Sequence, residues 1–281
     1  VVGLRPSPGR VPSEGGSWLP LATSGPVGRS VSDVALLLSV IAGPDPRSPL
    51  SLPDDGARFR GSLERSFKGT RVAWWTGLGG IPFEPEVRSV VDANRRVFED
   101  LGCIVEEAEP DFAGVGDAFR TLRYSQNHPQ YSALIRERAE WVKDEIKYEV
   151  AQAERFTGAD IGRAIARQSQ LHEQSRAFFE RYDFFVLPVT QVAPFDVTTR
   201  WPTQIAGVQM SDYVDWMRSC WYITLMTNPA LSVPGGFTQA GLPIGLQIVG
   251  RHRDDFGELH MGFAFEQATH HNARRPPLLR A

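Results

Sequence analysis

Six histidines, His128, His172, His252, His260, His270 and His271, are the first residues whose chemistry could hold a metal or move a proton. None stands in an HExxH arrangement and none has a cysteine pair nearby, so their spacing supplies no metal-ligand set. His270 and His271 read as a solvated helix end, where a cation suits the negative end of the helix dipole. A serine nucleophile is the second candidate, because "EGGSW" sets two small residues before Ser17 and lets backbone N–H groups approach an oxyanion. Pro12, Glu14 and Pro20 surround it with loop chemistry rather than a strand-to-helix elbow, and no histidine or lysine stands at a telling distance. Ordinary loop glycines account for it better.

The stretch "VPGGFTQAGLPIG" could cradle a phosphate through its backbone amides, but it lacks both the GK[ST] ending and the GxGxxG spacing before a helix. A turn-rich hairpin explains it. Paired carboxylates such as Glu106–Glu107 and Asp254–Asp255 are common at strand ends and helix starts, and no anchor motif singles one out as a general acid. Of the 30 basic residues only Lys68, Lys143 and Lys147 are lysine, which narrows any search for a lysine base. No cofactor and no metal are implied.

Elements that could position such groups alternate along the chain. "SVSDVALLLSVIA" puts Val34, Leu37, Leu38 and Ile41 on one helical stripe, with Ser30 and Asp33 in capping-box spacing and Gly43-Pro44 as the stop. The four prolines of "GPDPRSPLSLPDDG" make an exposed loop from Gly43 to Gly56. "RVAWW", "PEVRSVVDANRRVFEDLG" and "CIVEEAEP" form a strand–helix–strand unit, the helix running from Pro85 to Gly102. Residues 117–182 are polar and helical, with Trp141, Ile146 and Val150 as a sparse apolar side and Thr157 with Asp160 capping a fresh start; a helical hairpin on the body of the domain is expected. "DFFVLPV" suits a strand buried on both faces, and Asn228 to Arg251 reads as a hairpin with Ile244, Leu246 and Ile248 on one face. A last helix, around Asp254 to His270, packs Phe256, Leu259 and Phe263 inward.

The chain has 281 residues, 42% of them hydrophobic, enough for one large α/β domain. A formal net charge of −3 offers no basic stripe for nucleic acid. Cys103 and Cys220 stand too far apart to suggest a disulfide framework, and a reducing, cytoplasmic setting is expected. No apolar run approaches the roughly 20 residues that span a bilayer. The first methionine is Met210, and Val1 begins inside a strand-like run, so the sequence reads as the downstream part of a longer enzyme.

Four stretches in this order, "VVGLRPSPGRVP", "TSGPVGRSVSDVALLLSVIAGPDPRS", "YDFFVLPVT" and "NPALSVPGGFTQAGLPIGLQIVGR", resemble the amidase signature family. The resemblance implies an α/β/α fold with a mixed central sheet, truncated at its N-terminal side, and residues 1–281 as the C-terminal portion of a single amidase domain. It further implies hydrolysis of a small or aryl carboxamide through a serine acyl-enzyme, with a lysine and a second serine activating the nucleophile. All three of those residues fall before Val1, Ser17 lies on the wrong side of the motif, and Lys68, Lys143 and Lys147 do not match the base. These 281 residues alone are therefore expected to be inactive, and a missing N-terminal segment or a homodimer is expected to cover the cut. Two alternatives remain, a non-catalytic binding or scaffold subunit, or the glutamine-hydrolysing subunit of a tRNA-dependent amidotransferase. Residues after buried strands commonly line clefts in α/β folds, and on that ground, together with the resemblance, Thr23, Gln191, Trp221 and Asn228 are the expected substrate-binding residues.

Overall fold

In a computed structural model of the chain, residues 1–13, 18 and 21–274 are described. A seven-stranded sheet runs through the molecule in the order β2-β1-β8-β9-β5-β3-β4. Its strands are β1 (Val2–Arg5), β2 (Val27–Gly28), β3 (Arg71–Trp74), β4 (Ile104–Glu107), β5 (Phe184–Pro188), β8 (Ala230–Phe237) and β9 (Pro243–Gly250). β3 pairs in parallel with β4 and β5, whereas the β5–β9, β9–β8, β8–β1 and β1–β2 pairs are antiparallel, so the sheet is mixed as expected. A separate small hairpin joins β6 (Gln204–Ile205) to β7 (Val208–Gln209).

The helices are α1 (Val31–Ile41), α2 (Pro85–Asp92), α3 (Arg95–Asp100), α4 (Val115–Arg138), α5 (Asp144–Ala153), α6 (Gly158–Arg181), α7 (Arg218–Met226) and α8 (Asp255–Thr269). α8 lies against β8 so closely that a Cβ at Gly262 would stand 2.1 Å from Leu231 Cδ2. Phe98 of α3 stacks on Phe265 of α8 at 5.4 Å. α7 lies on the opposite face, where Gln247 of β9 donates to the Ser219 carbonyl at 3.3 Å. With helices on both sides, β5 is buried at every residue, as its continuous apolar run requires. In β9, Ile244, Leu246 and Ile248 alternate with Gln247 and Val249, and all five are buried. That pattern shows both faces covered rather than one.

Several helices depart from expectation for local reasons. α1 has its capping box at Ser30 and Asp33, yet it buries Val31, Val34, Ala35 and Leu38 while Leu37 and Ile41 stay exposed. The turn at Gly56, whose Cα faces the Ser39 and Ala42 carbonyls, and the close approach of Gly262 to Val31 rotate the buried stripe. The helix expected from Pro85 to Gly102 breaks into α2 and α3 at Asn94, whose amide donates to the Gly235 carbonyl at 2.6 Å and to the Val90 carbonyl at 2.8 Å. Residues 115–181 hold two 24-residue helices, α4 and α6, with α5 between them. Trp141 turns outward in a 3₁₀ turn under Arg138, whose guanidinium carbon lies 5.4 Å from the ring centroid. Of the α8 residues, Leu259 is fully buried, and Phe256 and Phe263 pack partly buried against the core.

The segment after β1 shows how little space the backbone leaves. Gly9 has φ +82°, and a Cβ there would stand 1.8 Å from the Leu50 carbonyl oxygen, in a turn held by the Leu52 N–H donating to the Gly9 carbonyl at 2.9 Å. Substituting Gly9→Ala is expected to lower stability by about 2 kcal/mol or more in denaturant unfolding, because both the dihedral and the contact are violated.

Candidate active site

The loops that follow β3, β4 and β5 meet at the carboxyl ends of these parallel strands, the place where open α/β sheets take ligands. After β3, the "TGLGG" loop turns its amides inward onto one carboxylate. Glu109 Oε2 accepts from the N–H groups of Thr76, Gly77 and Leu78 at 3.0, 3.1 and 2.9 Å, and Oε1 accepts from Gly79 at 3.0 Å. Gly77, Leu78, Gly79 and Gly80 all have positive φ, the geometry that points successive N–H groups to one side. Burial pushes the Glu109 pKa up, but these hydrogen bonds outweigh it and hold the carboxyl below its usual range.

Gln191, fully buried just beyond β5, joins this loop to α7. Its amide nitrogen donates to the Pro82 carbonyl at 2.9 Å, its amide oxygen accepts from the Arg218 N–H at 2.7 Å, and its carbonyl accepts from the Glu84 N–H at 2.9 Å. The Ser219 hydroxyl and Cys220 thiol both donate to the Val189 carbonyl, at 2.7 and 2.9 Å. Burial pushes the Cys220 thiol up to about 12, which disfavours its thiolate.

Between Gln191 and Arg218 the chain makes an excursion with its own small core of Val192, Ile205 and Met210, flanked by Trp201 and Trp216. Charge anchors it. Asp215, 1% exposed, accepts from the Ser211 N–H at 2.7 Å, from the Ser211 hydroxyl, from Arg218 Nε at 3.2 Å and from Arg120 of α4. Arg120 also grips Asp212, at 2.6 and 3.1 Å. Burial raises the Asp215 pKa, but the Ser211 hydrogen bonds and the two guanidinium charges outweigh it and leave the group below its ordinary value. Trp221 of α7 stacks on Phe119 of α4 at 4.3 Å and donates its indole N–H to the Val214 carbonyl at 2.8 Å.

Asn228 lies at the other end of the sheet. Its amide nitrogen donates to the Gly250 carbonyl at 2.8 Å, and Gly250 is paired with Phe184 at the start of β5, whereas Gln191 follows the end of that strand. Its amide oxygen accepts from the Ser175 hydroxyl at 2.8 Å, and its carbonyl accepts from Arg5 Nη1 at 3.1 Å. Arg5 in turn borders a cavity of about 310 Å³ that includes Thr23, Ser24 and Ser48. Burial brings the Arg5 guanidinium down to about 10 against the opposing pull of Glu258 and Asp255. Arg5, which bonds the Asn228 carbonyl, and Thr23 line one cavity, Gln191 stands beyond the other end of β5, and Trp221 faces α4. Ser17 falls outside the described residues. Among the described residues no three His, Cys, Asp or Glu groups converge as a metal set.

Arg5, Glu109, Arg120 and Asp215 are the functionally placed residues that sequence reasoning missed. Glu109 meets partners about 30 positions away and Arg120 meets its carboxylates more than 90 positions away, so no short spacing announces either.

The sequence model of the amidase family matches residues 1–258, and the chain belongs to that family. It is 34% identical over 271 residues to the acylamidase of Rhodococcus erythropolis, which covers 95% of this chain and 57% of that protein. A glutamyl-tRNA(Gln) amidotransferase subunit of Bacillus velezensis is 30% identical over 311 residues, covering 99% of this chain and 61% of that protein. A bacterial aryl acylamidase of the amidase signature family superposes with a TM-score of 0.81 at 24% identity, over 98% of this chain and 61% of its own. A 6-aminohexanoate cyclic dimer hydrolase superposes with a TM-score of 0.79 at 23% identity, over 100% and 62%. These two structures share the fold. The chain spans about three-fifths of the length of the curated relatives it matches.

Two outcomes follow from the charges at this site. Glu109→Gln is expected to cost about 1–3 kcal/mol in urea unfolding at neutral pH. The depressed pKa means that this stabilisation is present above the ordinary glutamate value and fades as pH falls through the folded-state value, so wild type and variant should converge in acid. Asp215→Ala leaves Arg120 and Arg218 without their shared buried partner and is expected to cost about 3–5 kcal/mol in the same measurement.

Proposed function

We propose that the protein is a hydrolase of small or aryl carboxamides, acting through a serine acyl-enzyme. The observation that carries this reading is the 34% identity to an acylamidase along 95% of the chain, inside a family match over residues 1–258. In this reading the serine, second serine and lysine belong to polypeptide outside these 281 residues, which alone are inactive. The contribution of the present residues is the scaffold that positions the site. Gln191 holds the loop after β3 to the start of α7, and the Asp215 cluster holds the excursion 192–217 against α4. Thr23, beside the Arg5 cavity, is the expected substrate-binding residue with the most open surroundings. Two free thiols, Cys103 and Cys220, fit a reducing, cytoplasmic compartment.

A second reading, glutamine hydrolysis as one component of a tRNA-dependent amidotransferase, has its own support in the glutamyl-tRNA(Gln) amidotransferase relatives at 28–30% identity. The two are separated by assaying the longest open reading frame that contains this sequence, by itself, for release of aniline from anilides and of ammonia from alkyl amides and glutamine. Turnover of anilides and alkyl amides without a partner is the expected result, with Thr23→Val raising KM several-fold and leaving kcat near wild type. Glutamine turnover only, dependent on an added partner protein, would establish the second reading instead. Anilide hydrolysis by the 281-residue chain itself, abolished by Ser17→Ala, would overturn the placement of the nucleophile.

A further inference from the structure

We propose that the outward face of α1 is an interior seam, covered by the part of the amidase domain that the relatives possess beyond the three-fifths matched here. Leu36, Leu37 and Val40, 60%, 44% and 68% exposed, lie on the side of α1 away from Val31, Val34, Ala35 and Leu38, and Ile41, 39% exposed, stands at the margin of that side, two turns beyond Val34. The last two turns of the helix therefore carry no charged side chain on either face, the pattern of a helix buried all round. β2 leads directly into this helix, and it is a two-residue strand at the end of the sheet order, paired on one side, with Val27 64% exposed. Among the described residues, strand edge and helix face thus lack a neighbour on the same flank.

The opposite edge of the sheet differs. There β4 carries Glu106 and Glu107, paired with Arg71 at 2.7 Å and with Arg95 at 3.2 Å, which is how a solvent-facing edge is protected from association. On the β2 flank the exposed charges, Arg29 and Asp33, are confined to the turn before α1 and its first turn, and the apolar patch beyond them is built to be covered. The occupant is assigned by length. The chain amounts to 57% of the acylamidase and 61% of the aryl acylamidase structure, so about two-fifths of the domain in those relatives must pack against surface of this kind.

Single cysteines test the assignment without requiring turnover, so the result is independent of the hydrolase reading. Leu36→Cys and Val40→Cys, with Leu37→Cys and Ile41→Cys as a second pair, are compared with Arg96→Cys, a position 77% exposed on α3. Each is made in the 281-residue chain and in the longest reading frame that contains it, checked by circular dichroism, and labelled with a bulky maleimide. The α1 positions should label as fast as the control in the 281-residue chain and about tenfold or more slowly in the longer protein, at every protein concentration. Equal rates in both proteins, or the absence of a longer frame, would overturn the proposal. Protection that vanishes on dilution of the longer protein, with a two-fold species in sedimentation, would assign the face to a second copy and overturn it equally.

Discussion

A carboxylate with 1% of its surface exposed, Asp215, sits between two guanidinium groups, and the carboxyl-end wall of the sheet depends on it. An isolated charge at that depth would be strongly unfavourable, so the arrangement holds only while Arg120, Arg218 and the Ser211 donors all remain in place. Each of these groups comes from a different part of the local structure: Arg120 from α4, Arg218 from the start of α7, Ser211 from the excursion between β5 and α7. Their mutual satisfaction therefore fixes three segments at once. The stacking of Trp221 on Phe119 completes the same contact with apolar surface, and its indole N–H closes back onto Val214.

The two ends of the sheet use polar groups in a related way. At the carboxyl ends of the parallel strands, Glu109 satisfies four backbone N–H groups of a loop whose positive φ angles would otherwise leave them converging on empty space. At the far end, Asn228 satisfies α6, β9 and β1 through Ser175, Gly250 and Arg5. Buried amide and carboxylate groups act here as connectors between elements far apart in the chain. The amides of Gln191 and Asn228, which stand out in the sequence, hold backbone and hydroxyl groups of neighbouring segments, and Thr23 borders the cavity beside Arg5.

Much of this architecture was legible in one dimension. The β5 run, the strand–helix–strand unit, the capping boxes at Ser30 and Thr157 and the β8–β9 hairpin all depend on periodicity or on contacts a few residues apart, and each formed close to its expected position. Departures came where a distant backbone intruded. Asn94 split a helix because Gly235 offered it an acceptor, and α1 turned its stripe because Gly56 and Gly262 let neighbouring chain come close.

The amidase family membership, the mixed sheet and the helical identity of most segments were thus properties of the sequence itself, carried by short motifs in order and by local apolar spacing. Tertiary structure alone decided which residues meet: that Arg5 bonds Asn228 and shares a cavity with Thr23, that Gln191 lies at the opposite end, and that Glu109 and Asp215 gather distant backbone and guanidinium groups. The physical reason is range. Helix and strand preferences are set by neighbours within a turn or two, whereas desolvated charges and buried amides take their meaning from partners up to more than 200 positions away along the chain.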